Sequence, residues 1–126
     1  MSGLQVSGRK RIERVGDLLR DELSDIIRNT MRDPRLELVG VTAVDMAGDL
    51  QHARVYLSSA DPAADMEEVI KVLERASRFI RTVLGRRRLD IRHLPELHFL
   101  HDRSFEEGTR IDELLRGLRD QGTGQG

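Results

Sequence analysis

The chain has 126 residues, 34% of them charged, and a formal net charge of -1. This length fits one domain with one modest core, and the charge balance excludes a uniformly cationic molecule, so any polyanion site must come from uneven placement of cations. The absence of cysteine excludes disulfides, thiolate zinc sites and cysteine nucleophiles, and no run is apolar enough for a membrane span or a secretory leader, so a soluble cytoplasmic protein is expected.

Residues 1–8 are small and polar and read as a flexible N-terminal tail. Residues 9–32 carry a helical pattern in which Ile12, Val15, Leu19, Leu23, Ile26 and Thr30 share a stripe, with Ile27 and Met31 beside it. Lys10, Arg11 and Arg14 crowd its opening turns. Cations there oppose the helix macrodipole. They are therefore candidate phosphate contacts, with a solvated leader as the alternative. Asp33-Pro34-Arg35 ends the helix, because proline lacks a donor and disfavours helical geometry in the residue before it.

Residues 38–45 read as a strand with Val39, Val41 and Ala43 on one face and Gly40, Thr42 and Val44 on the other. A turn over 46–49 offers Gly48 for positive φ. Residues 51–58 then alternate Ala53, Val55 and Leu57 against His52, Arg54 and Tyr56. The two runs make an antiparallel hairpin with one apolar face that needs a cover. Residues 59–65 form a loop in which Asp61 or Asp65 can cap the next helix.

The chain is organised around 66–102. Val69, Leu73, Ala76, Ile80, Val83 and Leu84 form an apolar stripe. Arg75, Arg78, Arg81, Arg86 and Arg88 fall on an arc nearly opposite, thickened by Arg87. Such a row is either a solvated face or a grip for phosphates. Residues 89–94 are irregular, and after Pro95 residues 97–100 read as a third strand with Leu97 and Phe99 on one face. Residues 102–118 read as a last helix and 119–126 as a flexible C-terminal tail. The order helix, strand, strand, helix, strand, helix predicts an α+β domain over 9–118, with a three-stranded sheet and helices on one face.

Chemistry finds little support. His98 and His101 are three apart on a strand and point to opposite faces, so no metal site is expected from them. No nucleophile elbow or phosphate-binding glycine loop occurs. Acid pairs such as Glu67-Glu68 sit at helix starts, where the dipole accounts for them. A protein without catalysis or cofactor is expected. The basic face is the better signal: engagement of about six phosphates implies a log–log salt slope of about -4 to -5. With no Trp and one Tyr, platforms for base stacking are nearly absent.

The chain resembles the bacterial ribosome-binding factor A family over roughly 9–118. The likeness rests on Arg14-Val15, Glu22-Leu23 and Ile26-Ile27, then Arg32-Asp33-Pro34-Arg35, Val41-Thr42-Ala43-Val44 and Ala53-Arg54-Val55-Tyr56. It continues through Ala76-Ser77, Phe79-Ile80-Arg81, Leu84-Gly85, Pro95-Glu96-Leu97-x-Phe99, Asp102 and Gly108-x-Arg110-Ile111. The resemblance implies a KH-like fold of the second type, with a helix–kink–helix near Ala76-Ser77 in place of a Gly-x-x-Gly loop. Arg78 stands where the family usually has glycine, which argues against a break needing positive φ; back-bonding by Ser77 is one source of a milder kink. The resemblance also implies a non-enzymatic assembly factor that binds the free 30S small ribosomal subunit through 16S rRNA. It would assist late maturation, including processing of the rRNA 5′ end, with a link to growth in the cold. The RNA-binding residues expected are Arg75, Arg78, Arg81, Arg86, Arg87 and Arg88, with Lys10, Arg11 and Arg14 secondary, on a monomer. The rival expectation is a small α+β module that binds protein or ligand, dimerises and ignores RNA.

Overall fold

The computed structural model describes residues 2–89 and 91–104. The helix expected over 102–118, but for its first three residues, and the whole C-terminal tail therefore lie outside the described part. The first helix, α1 (Ser2–Asp25), starts at Ser2 where the pattern predicted Arg9. No proline interrupts residues 2–8, and a nucleated helix extends at little cost. Leu19 and Leu23 on α1 are fully buried, with Ile12 and Val15 half-buried beside them.

The helix then widens into one π turn, Ile26–Thr30, closed by the Met31 N–H donating to the Ile26 carbonyl at 3.0 Å. The extra residue per turn rotates the stripe. Ile26 and Ile27 stay buried and Met31 is half-buried, but Thr30, expected in the stripe, is exposed. Asp33 caps a single 3₁₀ turn, Pro34–Leu36, by accepting from the Arg35 N–H at 2.9 Å.

The hairpin comprises β1 (Val39–Met46) and β2 (His52–Ser59), paired antiparallel. Its pairing slips between Val41 and Ala43. Thr42 is the extra residue of a bulge, which reverses the alternation after it. Val39, Val41 and Met46 are buried and Val44 is half-buried, while Ala43, predicted on the inner face, is exposed opposite Tyr56. The positive φ of the turn falls on Leu50 (60°), not on Gly48.

Asp65 caps α2 (Met66–Arg75) by accepting from the Glu68 N–H at 3.2 Å. A second helix, α3 (Ser77–Arg86), follows directly, and β3 (Glu96–His101) then runs parallel to β2. The strand order is β1-β2-β3. Ala53, Val55, Leu57, Leu97 and Phe99 point inward and are buried with Leu73, Ile80 and Leu84 of the helices. Arg54, His98 and Leu100 on the other side are exposed. This is the α+β, KH-like arrangement expected from the element order. Burial of each large core side chain contributes about 1.5–3 kcal/mol.

Gly16 sets how closely α1 lies on the sheet. It is buried, and a Cβ there would sit 2.7 Å from the Val44 carbonyl oxygen. Backbone thus crosses backbone at that point, which no larger residue permits without displacement.

Candidate nucleic-acid interface

The continuous helical pattern over 66–86 is broken at one residue. Ala76 has φ -88° and ψ 2°, between the end of α2 and the start of α3. Its N–H still reaches the Val72 carbonyl at 3.1 Å, and its own carbonyl accepts from the Ile80 N–H at 2.9 Å. The break needs no positive φ, so arginine at position 78 costs the backbone nothing. Among the described residues the back-bonding hydroxyl is that of Thr82, which donates to the Arg78 carbonyl at 2.9 Å. Ser77, expected in that role, is half-buried at the break.

Beside the break opens a cleft of about 870 Å³ lined by Arg75, Ser77, Arg78 and Arg81 from the helices and by Gln51, His93, Leu94 and Glu96 from the sheet end. The Arg81 guanidinium donates to the Leu94 carbonyl at 3.2 Å and ties α3 to the segment entering β3. Arg75 and Arg78 are exposed, and no described carboxylate lies within ion-pair distance of either. Glu74 and Glu96 also line the cleft, so three guanidiniums face two carboxylates and the balance favours an anion. Guanidiniums bind phosphate oxygens through paired N–H groups in a fixed fork.

The break divides the rank of cations expected along a single helix. Arg86 and Arg88 are exposed at the far end of α3 and do not line the cleft. Arg88 lies past the helix with φ 52°. Arg87 differs from the rest of the expected set in its surroundings. Its guanidinium is 2.7 Å from Glu22 and 2.7 Å from Asp25 of α1, with the side chain 26% exposed. Those carboxylates raise the Arg87 pKa, Glu22 first. The Asp25 carboxyl is held below its ordinary value by the Asn29 side chain and then by Arg87. Arg87 is thus a tether between α1 and α3. Lys10, Arg11 and Arg14 are exposed on α1, and none lines the cleft.

Two features were not read from the pattern. Phe79, beside Arg78, is 49% exposed and offers an aromatic face at the break. The signal was its position one residue off the buried Ile80. The parallel pairing of β2 and β3 also gathers His52, Glu96 and His98, a set able to hold a metal ion. His98 and His101 do point apart as expected, but the partner of His98 lies on another strand, where spacing within one strand cannot reveal it.

Comparison with known proteins places the chain among relatives of one family. The family profile described as ribosome-binding factor A matches residues 11–115. Ribosome-binding factor A of Halothermothrix orenii is 38% identical over 113 residues, which cover 90% of this chain and 92% of that relative. The protein of that name from a Synechococcus species is 44% identical over 114 residues, covering 89% and 84%. Among solved structures, the crystal structure of Thermus thermophilus ribosome-binding factor A superposes with a TM-score of 0.64 at 31% identity, covering 71% of this chain and 94% of that one. A homology model of the same Thermus protein, fitted into a cryo-electron-microscopy map of its 30S complex, gives 0.58 at 33% identity, covering 70% and 91%.

Proposed function

Because the chain belongs to the ribosome-binding factor A family, we propose that it binds the 30S ribosomal subunit and assists its late maturation by gripping structured 16S rRNA at the break between α2 and α3. The observation that carries this reading is the cleft beside Ala76, where Arg75 and Arg78 are exposed without carboxylate partners among the described residues and Arg81 is held in place by a backbone carbonyl. The Thermus relative fitted to a 30S map supports the choice of partner.

In this reading Arg75, Arg78 and Arg81 take ribose-phosphate oxygens, and the Ser77 hydroxyl adds a neutral contact. Phosphate contacts fix position and carry little sequence information. Recognition therefore depends on the shape of a folded RNA, and Phe79 can stack one unpaired base. Arg86 and Arg88 extend the contact along α3, while Lys10, Arg11 and Arg14 form a second, weaker patch on α1. Five engaged guanidiniums imply a log–log salt slope of about -3.5 to -4.5.

The chain acts as a monomer in the cytoplasm and performs no bond chemistry itself. Support for processing of the 16S 5′ end, and for growth in the cold, follows from holding the RNA in a mature geometry while other enzymes cut it. The test is co-sedimentation of the Arg78→Glu, Arg81→Glu double variant with immature small subunits. Both side chains are exposed and only the single bond from Arg81 to the Leu94 carbonyl is given up, so the variant is expected to fold and to lose binding. Undiminished co-sedimentation overturns the site.

A further inference from the structure

We propose that His52, Glu96 and His98 form a site for one divalent transition-metal ion of the zinc class on the open face of the sheet. The three ligand atoms lie within 4.8 Å of one another. His52 Nδ1 is 3.1 Å from His98 Nε2 and 3.6 Å from Glu96 Oε2. Zinc binds imidazole nitrogen at about 2.0–2.1 Å and carboxylate oxygen at about 2.0–2.2 Å, which places tetrahedral ligands about 3.3–3.5 Å apart. The two separations from His52 bracket that edge and the third lies within 4.8 Å, so rotation of the side chains can bring all three onto one ion.

The backbone explains why they meet. His52 and Glu96 are direct partners across the parallel β2–β3 pair, and His98 lies two residues beyond Glu96 on the same face. Ligands on paired strands hold their spacing better than ligands on loops. The two ring nitrogens face each other at hydrogen-bond distance, which requires one to donate and the other to accept. A metal ion can replace that contact between neutral rings. The donor ring moves its hydrogen to its outer nitrogen, and two lone pairs then converge on the ion.

All three side chains are exposed, so the ion has access and the fourth position is open to water. Asp45 and Arg54 line the adjoining depression with His52 and His98, and their charges offset one another. Two imidazoles and one carboxylate favour Zn²⁺, Ni²⁺ or Cu²⁺ over Mg²⁺ and Ca²⁺, which prefer all-oxygen shells.

The experiment is a calorimetric titration of ZnCl₂ into the full chain, free of any affinity tag and stripped with chelator. The expected result is one ion per chain at micromolar concentration, undisturbed by millimolar Mg²⁺. His52→Ala and His98→Ala should each weaken binding about tenfold or more. Glu96→Gln, an isosteric change, should weaken it while leaving thermal unfolding without metal unchanged. Zn²⁺ should raise Tm of the wild type and not that of His98→Ala. Absence of binding at micromolar Zn²⁺, or wild-type affinity in both histidine variants, overturns the proposal.

Discussion

Arg78 and Arg87 stand at opposite ends of the same short helix and have opposite surroundings. Arg78, in the first turn of α3, is exposed with no described carboxylate in ion-pair range. Arg87, the residue that closes α3, is clamped by Glu22 and Asp25. Arg35 resembles Arg87: it binds Asp33 at 2.7 Å and reaches Glu68 of α2 at 3.5 Å. A guanidinium is a tether where the fold brings acids to it and a candidate anion contact where it does not. In a chain this rich in both charges, position in the sequence does not separate the two cases.

The largest test of that contrast is on binding. Reversal of Arg78 and Arg81 to Glu removes two charge-assisted contacts, each contributing about 1.5–3 kcal/mol, and should weaken affinity for immature small subunits about 100-fold or more. The paired Ala variant should reduce the salt slope by roughly 1.4–1.8, read from affinities across a salt series. Arg87→Ala should leave both quantities unchanged.

Gly16→Ala tests what brings the tether together. A Cβ against the Val44 oxygen must push α1 away from β1, and overpacking of this kind costs about 1–3 kcal/mol. Denaturant unfolding should show the loss, and the contact of Arg87 with α1 should loosen with it.

Arg87→Ala itself should lower Tm by a few degrees at neutral pH. The sign of its pH dependence follows from Asp25, whose carboxyl is held below its ordinary value of 3.8. A depressed carboxyl contributes stability that is present above the ordinary value and lost as pH falls through the lower folded-state value. The gap in Tm between wild type and Arg87→Ala should thus be steady above pH 5 and narrow below 3.8. The same sign applies to Asp33, held down by Arg35, and to Asp102, held down by Ser104 and Thr42. A gap that widened in acid would contradict the tether.

The smallest effect is expected at Arg88. Its φ of 52° is a left-handed conformation that glycine adopts freely and other residues at a cost of about 1 kcal/mol. Arg88→Gly should raise stability slightly and reduce RNA affinity slightly. A fall in stability would mean that its side chain holds the fold as Arg87 does.

Much of the fold was legible because burial repeats with the period of each element. Leu19, Leu23 and Ile26 marked one helix face and Ala53, Val55 and Leu57 one strand face, and all are buried. The reading failed where the backbone changed its period. The π turn moved Thr30 out of the stripe, and the bulge at Thr42 turned Ala43 outward. In the candidate site, Arg75, Arg78 and Arg81 were legible as the reverse of an apolar stripe. The engagement of Arg87 was not, because its partners lie on another helix far back in the chain.

The sequence by itself determined the elements, the inward faces and the surplus of guanidiniums around Ala76, since periodicity and charge are properties of neighbouring residues. Tertiary structure alone decided which guanidiniums meet acids among the described residues, where α1 touches β1 through Gly16, and that His52 meets His98. Those are contacts between residues distant along the chain, and their energies depend on distance and orientation in space, which a linear pattern does not contain.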